Sequence, residues 1–327
     1  MQWGSFVGND RAKAQLAAAV DGRRLPHALL IEGPRGSGKR TLAMHFAAAA
    51  VCTEADRPCG RCAQCLKAAT GHPDITVVQG DGSAKSMSVH LIRELREQAA
   101  VVPNEASHKV FVFADADCMN VQAQNALLKI LEEPPSYMLF VLTVQSRTQL
   151  LPTVQSRCVS VSLLGVSEQE ALTVLRERFP EAEEDDLLKR IRLFSGCIGA
   201  AADSMADDEF GKTIERIRAV SEAIVASDEL ALLRATAPLE KDKMLTEAVL
   251  GGVRLVLRDA LTSAAGGKTL VSVAPEAAVA LSSKLTQKQL VASLAQVDEL
   301  IASKKRNMNQ TLLITLLCAR LRAATGR

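Results

Sequence analysis

Aromatic side chains are scarce in this sequence: one Trp, one Tyr and eight Phe make up 3% of 327 residues. Proteins that hold single-stranded nucleic acid without sequence preference stack bases on such rings, so an aromatic stacking platform is excluded. An excess of charge of one sign is also missing. Lys and Arg number 39 against 37 Asp and Glu, a formal net charge of +2, which is not the broad basic footprint of a protein that grips nucleic acid by total charge. No apolar run is long enough to span a bilayer and no secretory signal pattern opens the chain, so a cytoplasmic, reducing setting is expected, where disulfides do not persist. Internal repeats are absent. With 48% hydrophobic and 23% charged residues the composition is ordinary, and the length exceeds one small core, so several domains are expected.

What is present begins with Gly33-Pro34-Arg35-Gly36-Ser37-Gly38-Lys39-Arg40-Thr41. This is a phosphate-binding loop of the form G-x-x-x-x-G-K, and Gly33, Gly36, Gly38 and Lys39 are its candidate nucleotide-binding residues. The apolar Ala28-Leu29-Leu30-Ile31 reads as a short buried strand entering the turn, and Thr41-Leu42-Ala43-Met44 opens a helical pattern leaving it. Backbone N–H groups and a helix N-terminus can then cradle an anion. The alternative is a glycine turn that binds nothing. One departure stands out: the step after the lysine normally carries the Ser or Thr whose hydroxyl holds magnesium, and here it is Arg40, with Thr41 one residue too late.

A second element agrees with the first. Lys109-Val110-Phe111-Val112-Phe113-Ala114-Asp115 has the length and composition of a buried parallel strand ending in a carboxylate. Asp115 is thus placed like the metal-side carboxylate of a P-loop ATPase, the alternative being a strand-end cap. Ala116 follows it, and Asp117, offset by one position, is expected to point elsewhere.

Between these elements lie Cys52, Cys59, Cys62 and Cys65, spaced C-x6-C-x2-C-x2-C. Two overlapping C-x2-C steps and a fourth cysteine suit a closed tetrahedral thiolate site, and Pro58, Gly60 and Arg61 suit the turns that aim the sulfurs inward. Structural zinc is expected, with reduced thiols or an iron–sulfur cluster as alternatives. Such a site has no open position and would fold a knuckle rather than do chemistry. His72, in Gly71-His72-Pro73-Asp74, reads as a turn residue before the strand Ile75–Val78, and Cys118, Cys158, Cys197 and Cys318 read as small buried side chains.

Further along, Ala123, Ala126, Leu127 and Ile130 share a helix face that Pro134-Pro135 terminates. Strands are expected at Met138–Thr143 and, with one polar face, at Val159–Ser162. Strands alternating with helices imply an α/β fold, an open parallel sheet covered on both faces. After Leu164-Gly165 the pattern is helical: 168–179 and 184–194, closed by Ser195-Gly196, then roughly 209–225, 229–236, 243–261, 286–302 and 310–323, with a break at Ala264-Ala265-Gly266-Gly267.

Taken together, Phe6-Val7-Gly8-Asn9, Leu25-Pro26-His27-Ala28, the four-cysteine insert after the P-loop helix, Ala126-Leu127-Leu128-Lys129 with Glu132-Glu133-Pro134-Pro135, and Ser156-Arg157-Cys158 resemble the AAA+ clamp-loader subunits of bacterial DNA polymerase III over most of the chain. The resemblance implies an AAA+ P-loop core with the four-cysteine module over residues 1–163, a helical lid over 164–206 and a helical collar over 207–327. It also implies that Arg157, within the Ser156–Cys158 signature, reaches into the ATP site of a neighbouring subunit; the alternative is an ordinary arginine in a surface ion pair. Motor subunits of the family carry a magnesium Thr, a catalytic acid and a lid arginine where this chain has Arg40, Ala116 and Gly199. The pattern is therefore that of a stator: ATP or ADP binding is left open and hydrolysis is not expected. The implied partners are delta and tau/gamma subunits in a hetero-pentameric ring, the sliding clamp and, through the complex, primer–template DNA. A γ-phosphate-sensing threonine would fall near Thr143 or Val144. Asn307-Met308-Asn309-Gln310 resembles the cap of the final collar helix, and Lys304-Lys305-Arg306 reads as a solvated loop rather than a DNA contact. The alternatives are an ATP-hydrolysing motor subunit of the same ring and a zinc-bearing P-loop regulator acting alone.

Overall fold

Side chains alternate between the two faces of a strand, and here both sets are apolar. Leu29, Ile31, Val110, Val112, Leu139, Val141 and Val161 pack into one core, and Ala28, Leu30, Phe111, Phe113, Phe140, Leu142 and Val144 into another. A strand buried on both faces belongs inside a parallel sheet covered by helices. The structure, a computed structural model, shows that sheet; it describes residues 3–4, 6–22, 24–80, 86–206, 209–226, 228, 230–304 and 309–326. The chain divides into two compact units, Met1–Val166 and Ser167–Arg327.

The first unit runs α1 (Asp10–Asp21), β1 (Ala28–Glu32), α2 (Lys39–Val51), α3 (Ala63–Thr70), β2 (Ile75–Val78), α4 (Val89–Ala99), β3 (Lys109–Phe113), α5 (Val121–Glu132), β4 (Met138–Val144), α6 (Pro152–Gln155) and β5 (Val159–Ser162). The strands are all parallel in the order β2-β3-β4-β1-β5, with Ala28 opposite Phe140 and Leu29 opposite Val159. Leu16 and Val20 of α1 and Leu42, Phe46 and Ala50 of α2 cover one face. Ile92 and Leu95 of α4 with Ala123, Leu127 and Ile130 of α5 cover the other. The loops leaving β1 and β3 therefore emerge at the carboxyl edge of the sheet, where open α/β folds bind ligands.

The second unit is helical: α7 (Glu168–Arg178), α8 (Glu184–Leu193), α9 (Ile198–Asp203), α10 (Glu209–Ala223), α11 (Ala231–Thr236), α12 (Lys243–Ala264), α13 (Pro275–Lys284), α14 (Gln287–Lys304) and α15 (Gln310–Thr325). A reciprocal Ser167–Glu170 cap starts α7. Positive φ at Ser195 and Gly196 ends the α8 turn. Ile217, Val253, Leu257, Leu281, Leu290, Leu313 and Leu317 belong to one core shared by α10 and α12–α15. The Asn309 side chain caps α15 by accepting from Leu312 N at 3.2 Å.

Some sequence expectations need correction. The sequence pattern gives no expectation of helices α1, α3, α4, α6, α9 and α13. β3 stops at Phe113, and Asp115 lies two residues beyond it in the left-handed region, φ 58°. β5 does not alternate cleanly, since Val159 is exposed. Of the basic run at 304–306, Lys304 ends α14, while Lys305, Arg306, Asn307 and Met308 lie outside the described residues. No described helix is long and apolar enough to cross a membrane.

Candidate functional site

The P-loop links β1 to α2 at the sheet's carboxyl edge. Gly36 and Gly38 have φ of +75° and +87°, conformations that side chains with a Cβ rarely adopt. A Cβ on Gly33 would lie 2.8 Å from both Leu163 O and Ser37 Oγ, and one on Gly38 would lie 2.9 Å from the Phe6 ring. Phe6, from the opening motif, thus packs directly on the loop. Lys39 is buried, its Nζ donating to the loop's own Gly33 O at 2.8 Å and Pro34 O at 2.9 Å. Ser37 is also buried, and its Oγ has no hydrogen-bond partner among the described residues. A buried cation, an unsatisfied hydroxyl and the start of α2 converge on one cradle, which suits an anion.

Arg40 is exposed and extends over the sheet edge to Gln79, just past β2. With the Gln79 carboxamide oxygen facing the guanidinium, Nη1 and Nη2 donate to it at 2.8 and 3.0 Å. Gln79 follows Val78, whose carbonyl accepts the N–H of Ala114 at 2.9 Å, so the backbone that carries Gln79 leaves β2 beside the end of β3. Asp115 is exposed and Ala116 fully buried. Asp117 is half-buried, and burial, with the Asp115 charge adding to it, holds its carboxyl above the usual range against backbone N–H donors and the Lys39 charge. Thr143 on β4 is buried, and its Oγ1 accepts the Asp115 N–H at 3.0 Å.

The four cysteine sulfurs lie within 4.8 Å of one another. Cys52–Cys62 and Cys59–Cys65 are each separated by 3.9 Å, and all four thiols are free. Bonds of about 2.3 Å to a tetrahedral zinc require sulfur–sulfur edges of about 3.8 Å, so the donor set fits that ion. Burial alone would raise the Cys62 thiol, but the Cys65 N–H, 3.4 Å from its sulfur, and further hydrogen bonds bring it down to about 6. Burial pushes Cys65 up to about 12. The module is tied to the sheet through His72, whose Nε2 is 2.6 Å from Gln64 Oε1 on α3 and whose Nδ1 accepts from Asp74 N at 2.9 Å. His72 is a turn residue, as the sequence suggests, and also a tether.

Arg157 lies away from the P-loop, on the turn between α6 and β5. Its Nη1 donates to Thr153 O at 2.9 Å and its Nη2 to Glu132 Oε1 at 2.8 Å, with the side chain 34% exposed. Ser156 Oγ donates to Thr153 O at 3.0 Å, closing the turn. Burial pushes the Cys158 thiol up to about 11. Within one chain, then, Gly33–Lys39 and Asp115 share an edge, and Arg157 does not join them.

Sequence reasoning missed Gln79 and Asp74. Asp74 is fully buried and accepts the N–H groups of Asn104 at 2.6 Å, Glu105 at 2.8 Å and Ala106 at 2.9 Å. A carboxylate two residues after His72 gives no local signal of partners thirty residues on.

The family model described as "DNA polymerase III, delta subunit" matches residues 8–167. The DNA polymerase III subunit gamma/tau of Mycobacterium tuberculosis is 36% identical over 154 residues, 46% of this chain but only 26% of that protein. The chain thus spans about a quarter of the gamma/tau relatives it matches. The DNA polymerase III subunit delta' of Pseudomonas aeruginosa is 36% identical over 52% of this chain and 53% of its own length. That of Escherichia coli K12 is 30% identical over 98% of this chain and 96% of its own. A match that runs nearly end to end in both chains shows that this chain belongs to the family of DNA polymerase III delta-prime subunits.

Proposed function

We propose that the chain is the non-hydrolysing stator of a DNA polymerase III clamp loader, one member of a hetero-pentameric ring with delta and tau/gamma subunits that places a sliding clamp on primed DNA. The observation that carries the stator reading is the Arg40–Gln79 contact: a guanidinium occupies the step where a motor subunit presents its magnesium hydroxyl. Ala116, buried and without a titratable group, follows Asp115 where a water-orienting acid would be needed. The chain's role in hydrolysis is then in trans. Arg157 is partly exposed on a short turn, and its planar fork is suited to a neighbour's γ-phosphoryl group.

Cys52, Cys59, Cys62 and Cys65 would hold one structural zinc, which supplies folding energy to the knuckle and no chemistry. In the same reading residues 164–206 serve as the lid and 207–327 as the collar that closes the ring. Steady-state ATP turnover by the purified chain tests the stator assignment. Turnover should stay at background, whereas turnover abolished by Lys39→Ala would make the chain a motor subunit.

A further inference from the structure

The P-loop sits at the carboxyl edge of the first unit's sheet, and a basic cavity of about 300 Å³ sits at the amino edge. That volume is at the small end of the range for small-molecule sites. β1 is five residues long, so at about 3.3 Å per residue the two edges are roughly 15 Å apart. The floor is apolar and buried: Val20 of α1, Ala49 of α2 and Leu139 of β4. The walls carry Arg24 and His27 from the link between α1 and β1, Arg57 from the loop between Cys52 and Cys59, and His108 just before β3. No Asp or Glu is among the described residues that line the space. A hollow walled by separate segments takes a compact ligand, whereas an extended peptide needs a groove or a sheet edge.

Guanidiniums elsewhere in the chain find carboxylates: Arg176 pairs with Glu184, and Arg192 with Glu168. Arg24 and Arg57 have no such partner among the described residues. Arg57 Nε donates to Glu54 O at 2.8 Å, which anchors the side chain and leaves both Nη groups to an incoming anion. Burial holds the His108 imidazole below its usual range against a hydrogen bond to the Ala50 backbone, and the Arg57 charge adds to that shift. The Arg57 charge is thus felt inside the cavity. We propose that this cavity binds a small phosphate monoester, its head between Arg24 and Arg57 and its apolar body on the floor of Val20, Ala49 and Leu139. Each planar fork matches two oxygens. A phosphoryl group has three terminal oxygens and can serve both forks, whereas a carboxylate has only enough for one. The site is separate from the P-loop and does not depend on the stator reading.

The test follows the imidazole NMR signals of His27 and His108 in the full chain during titration with phenyl phosphate and, separately, with inorganic phosphate. Both rings line this cavity, at the opposite edge from the P-loop, so phosphate held by Lys39 does not register in them. Phenyl phosphate should shift both signals saturably and bind about tenfold more tightly than inorganic phosphate, because its ring buries apolar surface on the floor. Arg24→Gln and Arg57→Gln should each weaken binding by about tenfold or more through lost charge-assisted hydrogen bonds. Arg24 is exposed, so Arg24→Gln keeps the fold and decides the case if Arg57→Gln does not. No saturable shift at these rings, equal affinity for the two probes, or binding that either substitution leaves unchanged in a folded chain overturns the proposal.

Discussion

Thr143 on β4 accepts the backbone N–H of Asp115 at 3.0 Å and lies 3.4 Å from Phe113 O, which its hydroxyl meets as a donor. One buried hydroxyl thereby fixes the turn after β3, where Asp115 adopts φ 58°. Thr143→Val keeps the shape and removes the hydroxyl, leaving a part-buried N–H unpaired. The expected cost is about 1–3 kcal/mol, read as a lower denaturation midpoint with unchanged slope. Thr143→Ser should recover most of it. An unchanged midpoint for Thr143→Val would show that the turn is held by something else.

The cysteine cluster should carry one zinc per purified chain. Cys62→Ser should lower the zinc content, and chelation should unfold the knuckle, because binding and local folding are linked. Elemental analysis together with thiol accessibility checks this; full zinc content in the Cys62→Ser chain would contradict the assignment.

Asp74 makes a pH-dependent contribution whose sign is fixed. Burial would raise its carboxyl, but the N–H groups of Asn104, Glu105 and Ala106 and the Asn104 side chain more than offset this and hold it below the usual range. A depressed folded-state value means that the charged form stabilises the fold above the unfolded value, near pH 4, and that this stability is lost as pH falls through the lower folded value. Asp74→Asn should therefore cost about 1–3 kcal/mol at neutral pH and flatten the acid limb of the stability profile. Parallel acid limbs for the two chains would refute this role.

In the second unit, a Cβ at Gly252 on α12 would lie 2.3 Å from Ile217 Cδ1 on α10. Ile217 is fully buried, and its Cγ1 and Cγ2, at 2.6 and 3.1 Å from that Cβ, would have to shift as well. Gly252→Ala should destabilise by about 1–3 kcal/mol through overpacking, despite alanine's better helix propensity. Ile217→Val in the same chain should relieve part of the loss; a chain stabilised by Gly252→Ala would mean that Ile217 has room to move.

The parts of the site that were legible in the sequence are those in which spacing along the chain fixes geometry. Gly33–Lys39 between an apolar run and a helical one, and four cysteines within fifteen residues, each specify their own local shape. The Ser88-capped helix over Val89, Ile92, Leu95 and Ala99 carries the same kind of signal, with its apolar residues at helical spacing. What was not legible depends on distant pieces meeting. Arg40 finds Gln79 only because α2 and β2 meet at one sheet edge. The Asp115 N–H meets the Thr143 hydroxyl where the chain leaves β3 through a left-handed residue, which no pattern in Ala114-Asp115-Ala116-Asp117 announces. The Arg157–Glu132 pair likewise joins the end of α5 to the turn after α6.

That pair frames the most direct test. A partly exposed ion pair is worth at most about 1 kcal/mol, so Arg157→Ala should leave folding and assembly intact. An arginine given in trans to a transferring phosphoryl group contributes on the order of 10³ to 10⁵ in rate at its own site, and less over a ring with several sites. The deciding measurement is ATP-dependent clamp loading by a reconstituted complex carrying either the unaltered chain or Arg157→Ala. The account predicts an assembled complex that loads clamps and hydrolyses ATP markedly more slowly, with poor rescue by Arg157→Lys, which lacks the planar fork. An assembled Arg157→Ala complex working at the normal rate would make Arg157 an ordinary surface arginine and contradict the account.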